Sequence, residues 1–80
     1  MNDPAHDLMT ALADGAAVDE ASAANLAALA VIARDQGVVG AAATFEIQAR
    51  SHRVKAVELR ARLGALVERY GERHLDRREP

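Results

Sequence analysis

From Phe45 onward the apolar positions keep a helical rhythm. Phe45, Ala49, His52, Ala56, Leu59, Leu63, Leu66 and Tyr70 follow one another at steps of 4, 3, 4, 3, 4, 3 and 4. An unbroken 3–4 alternation of this length is an a/d seam, the mark of a helix packed lengthwise on another. At about 100° per residue a second apolar stripe lies almost opposite: Ile47, Val54, Val57, Ala61 and Ala65. The pattern predicts one long helix over 41–73, with Gly64 and Gly71 as weak points because glycine costs about 1 kcal/mol relative to alanine inside a helix.

Two further helices are expected upstream. Asp3 as N-cap and Pro4 at the first helical position open a short helix over 3–14, which Gly15 ends. Asp19 can cap a second over 19–36, which stops at Gly37, a residue suited to the left-handed conformation that closes helices. Within it Ser22, Leu26, Leu29 and Ala33 step by 4, 3 and 4, while Ala24, Ala28, Val31 and Ile32 cover much of the other side. "QGVVGAA" is short and glycine-punctuated, a link between antiparallel helices. Residues 74–80, "HLDRREP", read as a flexible tail. The expected fold is all-α, a single domain: an antiparallel helical hairpin with a short N-terminal helix and a long C-terminal helix.

One stripe of the long helix can pack on the second helix. Little remains in an 80-residue chain to cover the other. Ile47, Val54, Val57, Ala61 and Ala65 are therefore expected to form a homo-oligomer interface. Composition points the same way. Trp is absent and Phe45 and Tyr70 are the only aromatics, so the core must be Leu, Val, Ile and much Ala. Alanine lets helices approach closely but buries little area at roughly 25 cal/mol per Å², and a domain this small is marginal without staples or partners. With no Cys, disulfides and thiolate metal sites are excluded.

Charge divides the chain. Residues 1–40 hold six acids and one base (Arg34), a balance of −5, whereas residues 41–80 hold six acids and nine bases, a balance of +3. Such a dipole suits self-assembly, or an anionic partner met by one half. "MNDPAHDLM" lacks the basic and apolar regions of a secretory signal. The longest uncharged run, "ASAANLAALAVIA", has thirteen residues and is short for a membrane span, so a cytoplasmic protein without membrane contact is expected.

Arg53 and Arg60 flank one side of the long seam, Lys55, Arg62, Arg69 and Arg73 the other, and Arg50 sits among the second stripe. Their plainest role is a solvated flank whose long stems cover apolar edges, with Glu46–Arg50 and Glu58–Arg62 as pairs within the helix. Repeated around an oligomer, Arg50, Arg53, Lys55, Arg60 and Arg62 could also meet the phosphates of double-stranded DNA. Without aromatics for stacking or a recognition helix, that contact would be weak, salt-dependent and blind to sequence. His52, on the seam, reads as a hydrogen-bonded packing residue; no second His or Cys stands in reach to make a metal site. No phosphate-binding loop, HExxH or GxSxG occurs, and Arg50, Lys55, Glu58 and Arg62 spread around the helix instead of converging. A non-enzymatic protein without cofactors is expected.

The segment from Leu26 to Leu66, "LAALAVIARDQGVVGAAATFEIQARSHRVKAVELRARLGAL", resembles the oligomerisation hairpin of small terminase subunits from tailed phages and gene transfer agents. The resemblance is carried by Ile32-Ala33-Arg34-Asp35 at the end of an Ala/Leu-rich helix, by Arg53-Val54-Lys55-Ala56-Val57-Glu58-Leu59, and by Leu63-Gly64. It implies a ring-forming component of a DNA-packaging motor in a bacterial host cell, working with a large terminase subunit that has ATPase and nuclease activity. Members usually begin with a helix-turn-helix module. The residues before Asp19 are too few for one, so packaging with little sequence preference is the expectation. The other reading is a small regulatory or antitoxin-like dimer that binds a protein partner and ignores DNA.

Overall fold

The computed structural model describes the backbone of residues 3–78 and the side chains of residues 3–70. Two helices, α1 (Pro4–Asp35) and α2 (Val39–Arg78), pack as an antiparallel hairpin. The rod measures 67 × 21 × 12 Å. Its radius of gyration of 18.4 Å compares with about 12 Å for a compact domain of this length.

α1 opens as its sequence dictates. Asp3 Oδ1 accepts a hydrogen bond from the Ala5 backbone N–H at 3.0 Å, and Pro4 takes the first helical position, where no amide is needed. The helix then runs without a break through Gly15, so the short helix over 3–14 and a fresh start at Asp19 are not found. The reason is on the facing helix. A Cβ at Gly15 would stand 3.3 Å from Leu59 Cδ1, so the missing side chain makes room for a leucine. Packing along the seam offsets the modest helix cost of one glycine.

The turn is a Schellman motif. Gly37 has φ +79°, the Gly37 N–H donates to Arg34 O at 3.0 Å, and the Val38 N–H donates to Ala33 O at 2.8 Å. α2 starts at once, two residues earlier than expected, with the Ala42 N–H donating to Val38 O at 3.0 Å. It continues to Arg78, so most of the expected tail over 74–80 is helical; Glu79 and Pro80 lie outside the described residues.

On α2 the predicted seam is the one that packs. Every member from Phe45 to Tyr70 is buried or half-buried, and Ala42 extends the repeat toward the turn. The matching seam on α1 is Ala5, Met9, Leu12, Ala16, Asp19, Ala23, Leu26, Ala30 and Ala33, again at alternating steps of 4 and 3. Leu29, expected on that seam, is instead 44% exposed, because continuing the repeat through Gly15 shifts the packed line onto Ala23 and Ala30. The close approach of Gly15 to Leu59 fixes the register. It sets Ala30 level with Phe45, Ala23 with His52 and Ala16 with Leu59, then Leu26 with Ala49. Most layers thus combine a small residue with a larger one. Among the described residues, those buried are seven alanines: 16, 23, 30, 33, 42, 49 and 56.

Candidate functional site

Polar links cross the seam along its length. His52 Nδ1 and Asp19 Oδ1 stand 2.8 Å apart, half-buried, at the centre of the rod. Asp19, expected to cap a helix, thus sits inside one and serves as a cross-helix partner. Arg60 grips Glu20 with both Nε and Nη2, at 2.7 and 2.6 Å, and Arg34 pairs with Glu46 near the turn. The hydrogen bond from Arg60 holds the Glu20 carboxyl below its ordinary range, and the same bond raises the Arg60 guanidinium above its own. At the open end the Tyr70 hydroxyl donates to Asp3 Oδ2 at 3.1 Å. Asp3 is likewise held below the usual carboxylate range, first by the Ala5 amide, with Tyr70 contributing.

These contacts sort the basic residues into two flanks. One flank is charge-paired: Glu20–Arg60 and Arg34–Glu46 both lie there. Beside them Ala27, Val31, Arg34, Glu46, Arg50 and Arg53 line a shallow groove of about 300 Å³. The opposite flank carries Lys55, Arg62 and Arg69 in a row seven residues apart, and across from them α1 presents Leu8, Gly15, Ser22 and Leu29. None of those α1 residues is acidic. Among the described residues no carboxylate stands within ion-pair distance of Arg50, Arg53, Lys55, Arg62 or Arg69. Of the proposed phosphate-facing set, Arg60 is therefore engaged by Glu20, and the other four are unpaired but divided between two flanks. Glu46 turns to Arg34 on the other helix rather than to Arg50 on its own, contrary to expectation.

The outer stripe of α2 is open. Ile47 is 67% exposed, Val54 51% and Val57 68%, and Ala61 and Ala65 are exposed too. Nothing among the described residues covers them. α1 has an outer face of its own, of which Ala24, Ala28, Val31 and Ile32 were already legible as the other side of the expected second helix. Ala17, Ala21, Ala24, Ala28 and Val31 step by 4, 3, 4 and 3, with Val18 and Ile32 beside them, and all are exposed. Its continuation to Val18 and Ala17 was masked by the expected break at Gly15, which set the second helix to begin at Asp19.

α1 is also long and apolar enough to cross a membrane, with a mean hydropathy of 1.4 in its most apolar window. Its seam face, however, is tied to α2 through Asp19–His52 and Glu20–Arg60. Among the described residues no group of three His, Cys, Asp or Glu side chains is placed to hold a metal ion. No family model, curated protein or solved structure matches the chain.

Proposed function

We propose that this chain is a non-enzymatic, self-assembling adaptor of the small terminase kind. In this reading, copies of the hairpin form a ring in a DNA-packaging motor, engage a large terminase subunit, and touch double-stranded DNA weakly and without sequence preference. The observation that carries the self-assembly is the exposure of Ile47, Val54 and Val57 in the folded chain. A rigid helix that shows water apolar side chains along one edge gains roughly 25 cal/mol for each Å² it hides against a partner. The resemblance of residues 26–66 to terminase hairpins supports the packaging role. The unpaired Arg50, Arg53, Lys55 and Arg62 support the phosphate contact.

Native mass spectrometry and light scattering at micromolar concentration test the assembly: the expected mass is that of more than two chains. Val54→Asp should bring it down to one. A single-chain mass for the parent protein would refute the proposal, and a dimer that captures one protein and ignores DNA would favour the regulatory reading. Fluorescence anisotropy with a random-sequence duplex tests the DNA contact. Binding should be lost between about 50 and 200 mM salt, because each phosphate contact releases counterions.

A further inference from the structure

We infer that the hairpins associate edge to edge, with the outer face of α1 in one copy receiving the outer stripe of α2 in the next. This rests on the self-assembly proposed above and specifies which surfaces meet. Three observations select a second copy of this chain, in this arrangement, as the occupant.

The first is area. The chain exposes 6077 Å², against about 4,700 Å² for a folded monomer of its mass. The rod shape, 67 Å long and 12 Å thick, accounts for the surplus and leaves an apolar face open on each outer edge. Two open patches per chain is what a head-to-tail contact needs, since every copy must present both halves.

The second is charge. α1 carries five carboxylates and one arginine, a balance of −4, whereas α2 carries five carboxylates and nine bases, a balance of +4. Contact between α1 and a neighbouring α2 sets opposite signs together. Contact between two copies of α2 would set +4 against +4.

The third is shape. Inside the hairpin most layers place an alanine of one helix level with a larger residue of the other. Carried outward at the same level, that register sets Ala28 against Ile47, Ala21 against Val54 and Ala17 against Val57 of the neighbour. The α1 row offers the small side chains of Ala17, Ala21, Ala24 and Ala28, and the α2 row carries the larger Ile47, Val54 and Val57. The outer contact repeats the inner one with the chain of origin exchanged.

The lack of native cysteine makes the test direct. Ala21→Cys and Val54→Cys are prepared singly and together, both at exposed positions on opposite outer edges, where no bridge can form within one hairpin. Under mild oxidation the double variant should give a ladder of covalent multimers, a mixture of the two single variants should give two-chain products, and neither single variant alone should link. The pair Ala28→Cys and Ile47→Cys repeats the test one heptad along, should either site in the first pair perturb folding. Efficient dimers from Val54→Cys alone would overturn the inference in favour of α2 against α2. So would a parent mass above one chain with no crosslink at either pair, leaving self-assembly standing without this interface. A single-chain mass for the parent would remove both.

Discussion

α2 carries two apolar stripes on opposite sides of the same helix, and their fates differ. The inner one alternates small and large residues against a matching line on α1, and its alanines at 42, 49 and 56 are almost fully shielded. The outer one, with Ile47, Val54 and Val57, holds large aliphatic side chains yet remains half to two-thirds exposed. Burial here follows partner geometry rather than hydrophobicity. Alanine goes inside because it lets two backbones approach to about 8 Å, which a seam of larger residues would prevent. The bulkier residues are left on the outside, where they can stabilise only a contact with another molecule.

Overfilling the inner stripe should break this contrast most severely. Ala56 is 3% exposed inside the seam, and leucine there has to push the helices apart. A loss of about 1–3 kcal/mol is expected for added methylenes in a packed core. It should appear in circular dichroism as a thermal midpoint lower by more than 5 °C, given about 4–8 °C per kcal/mol for a domain of this size. A midpoint unchanged by Ala56→Leu would mean that the seam is loosely packed and the inner stripe has no special status.

The outer stripe should respond in the opposite way. Val57→Ser removes apolar surface that the hairpin itself does not bury, so the helical signal of the single chain should be retained. What should fall is the mass of the assembly on dilution, seen by analytical ultracentrifugation as dissociation at a higher concentration than for the parent. Exposure of 68% leaves the intramolecular term small. If the variant unfolds with its mass unchanged, the two stripes have been assigned to the wrong contacts.

Much of this arrangement was legible in the sequence, and the parts that were not have physical reasons. The α2 seam could be read directly because eight positions in succession obey one repeat, so a single ambiguous residue cannot shift it. The N-cap at Asp3 and the left-handed Gly37 were legible because each has a local cause in its own side chain or lack of one. Gly15 misled because its local preference is to end a helix, while the contact that overrides it, with Leu59, is remote in sequence. That error displaced the α1 seam to Leu29 and hid the partners of His52, Arg60 and Arg34, each of which lies on the other helix. Long-range pairing in a hairpin becomes readable only once both helices have the right length. The candidate interface residues on α2 needed no such knowledge, and all five are exposed where they were expected.

The smallest effect should come from the polar links that border the two stripes, and it can be isolated by pH. Arg60 holds the Glu20 carboxyl below its ordinary range in the folded chain. The stabilisation is therefore fully present above the unfolded glutamate value and is lost as pH falls through the lower, folded one. The raised Arg60 value describes the same contact from the other partner, and would be lost only at strongly alkaline pH. Asp3, held down mainly by the Ala5 amide, loses its contribution over the acidic range as well. Both carboxylates are solvent-exposed, so the effects are modest and screened by salt. Thermal midpoints should then decline for the parent between neutral pH and the carboxylate range. Glu20→Gln should start slightly lower and decline less, and the difference between the two should shrink in high salt. Parallel curves would show that the Glu20–Arg60 pair adds nothing to the stability of the hairpin.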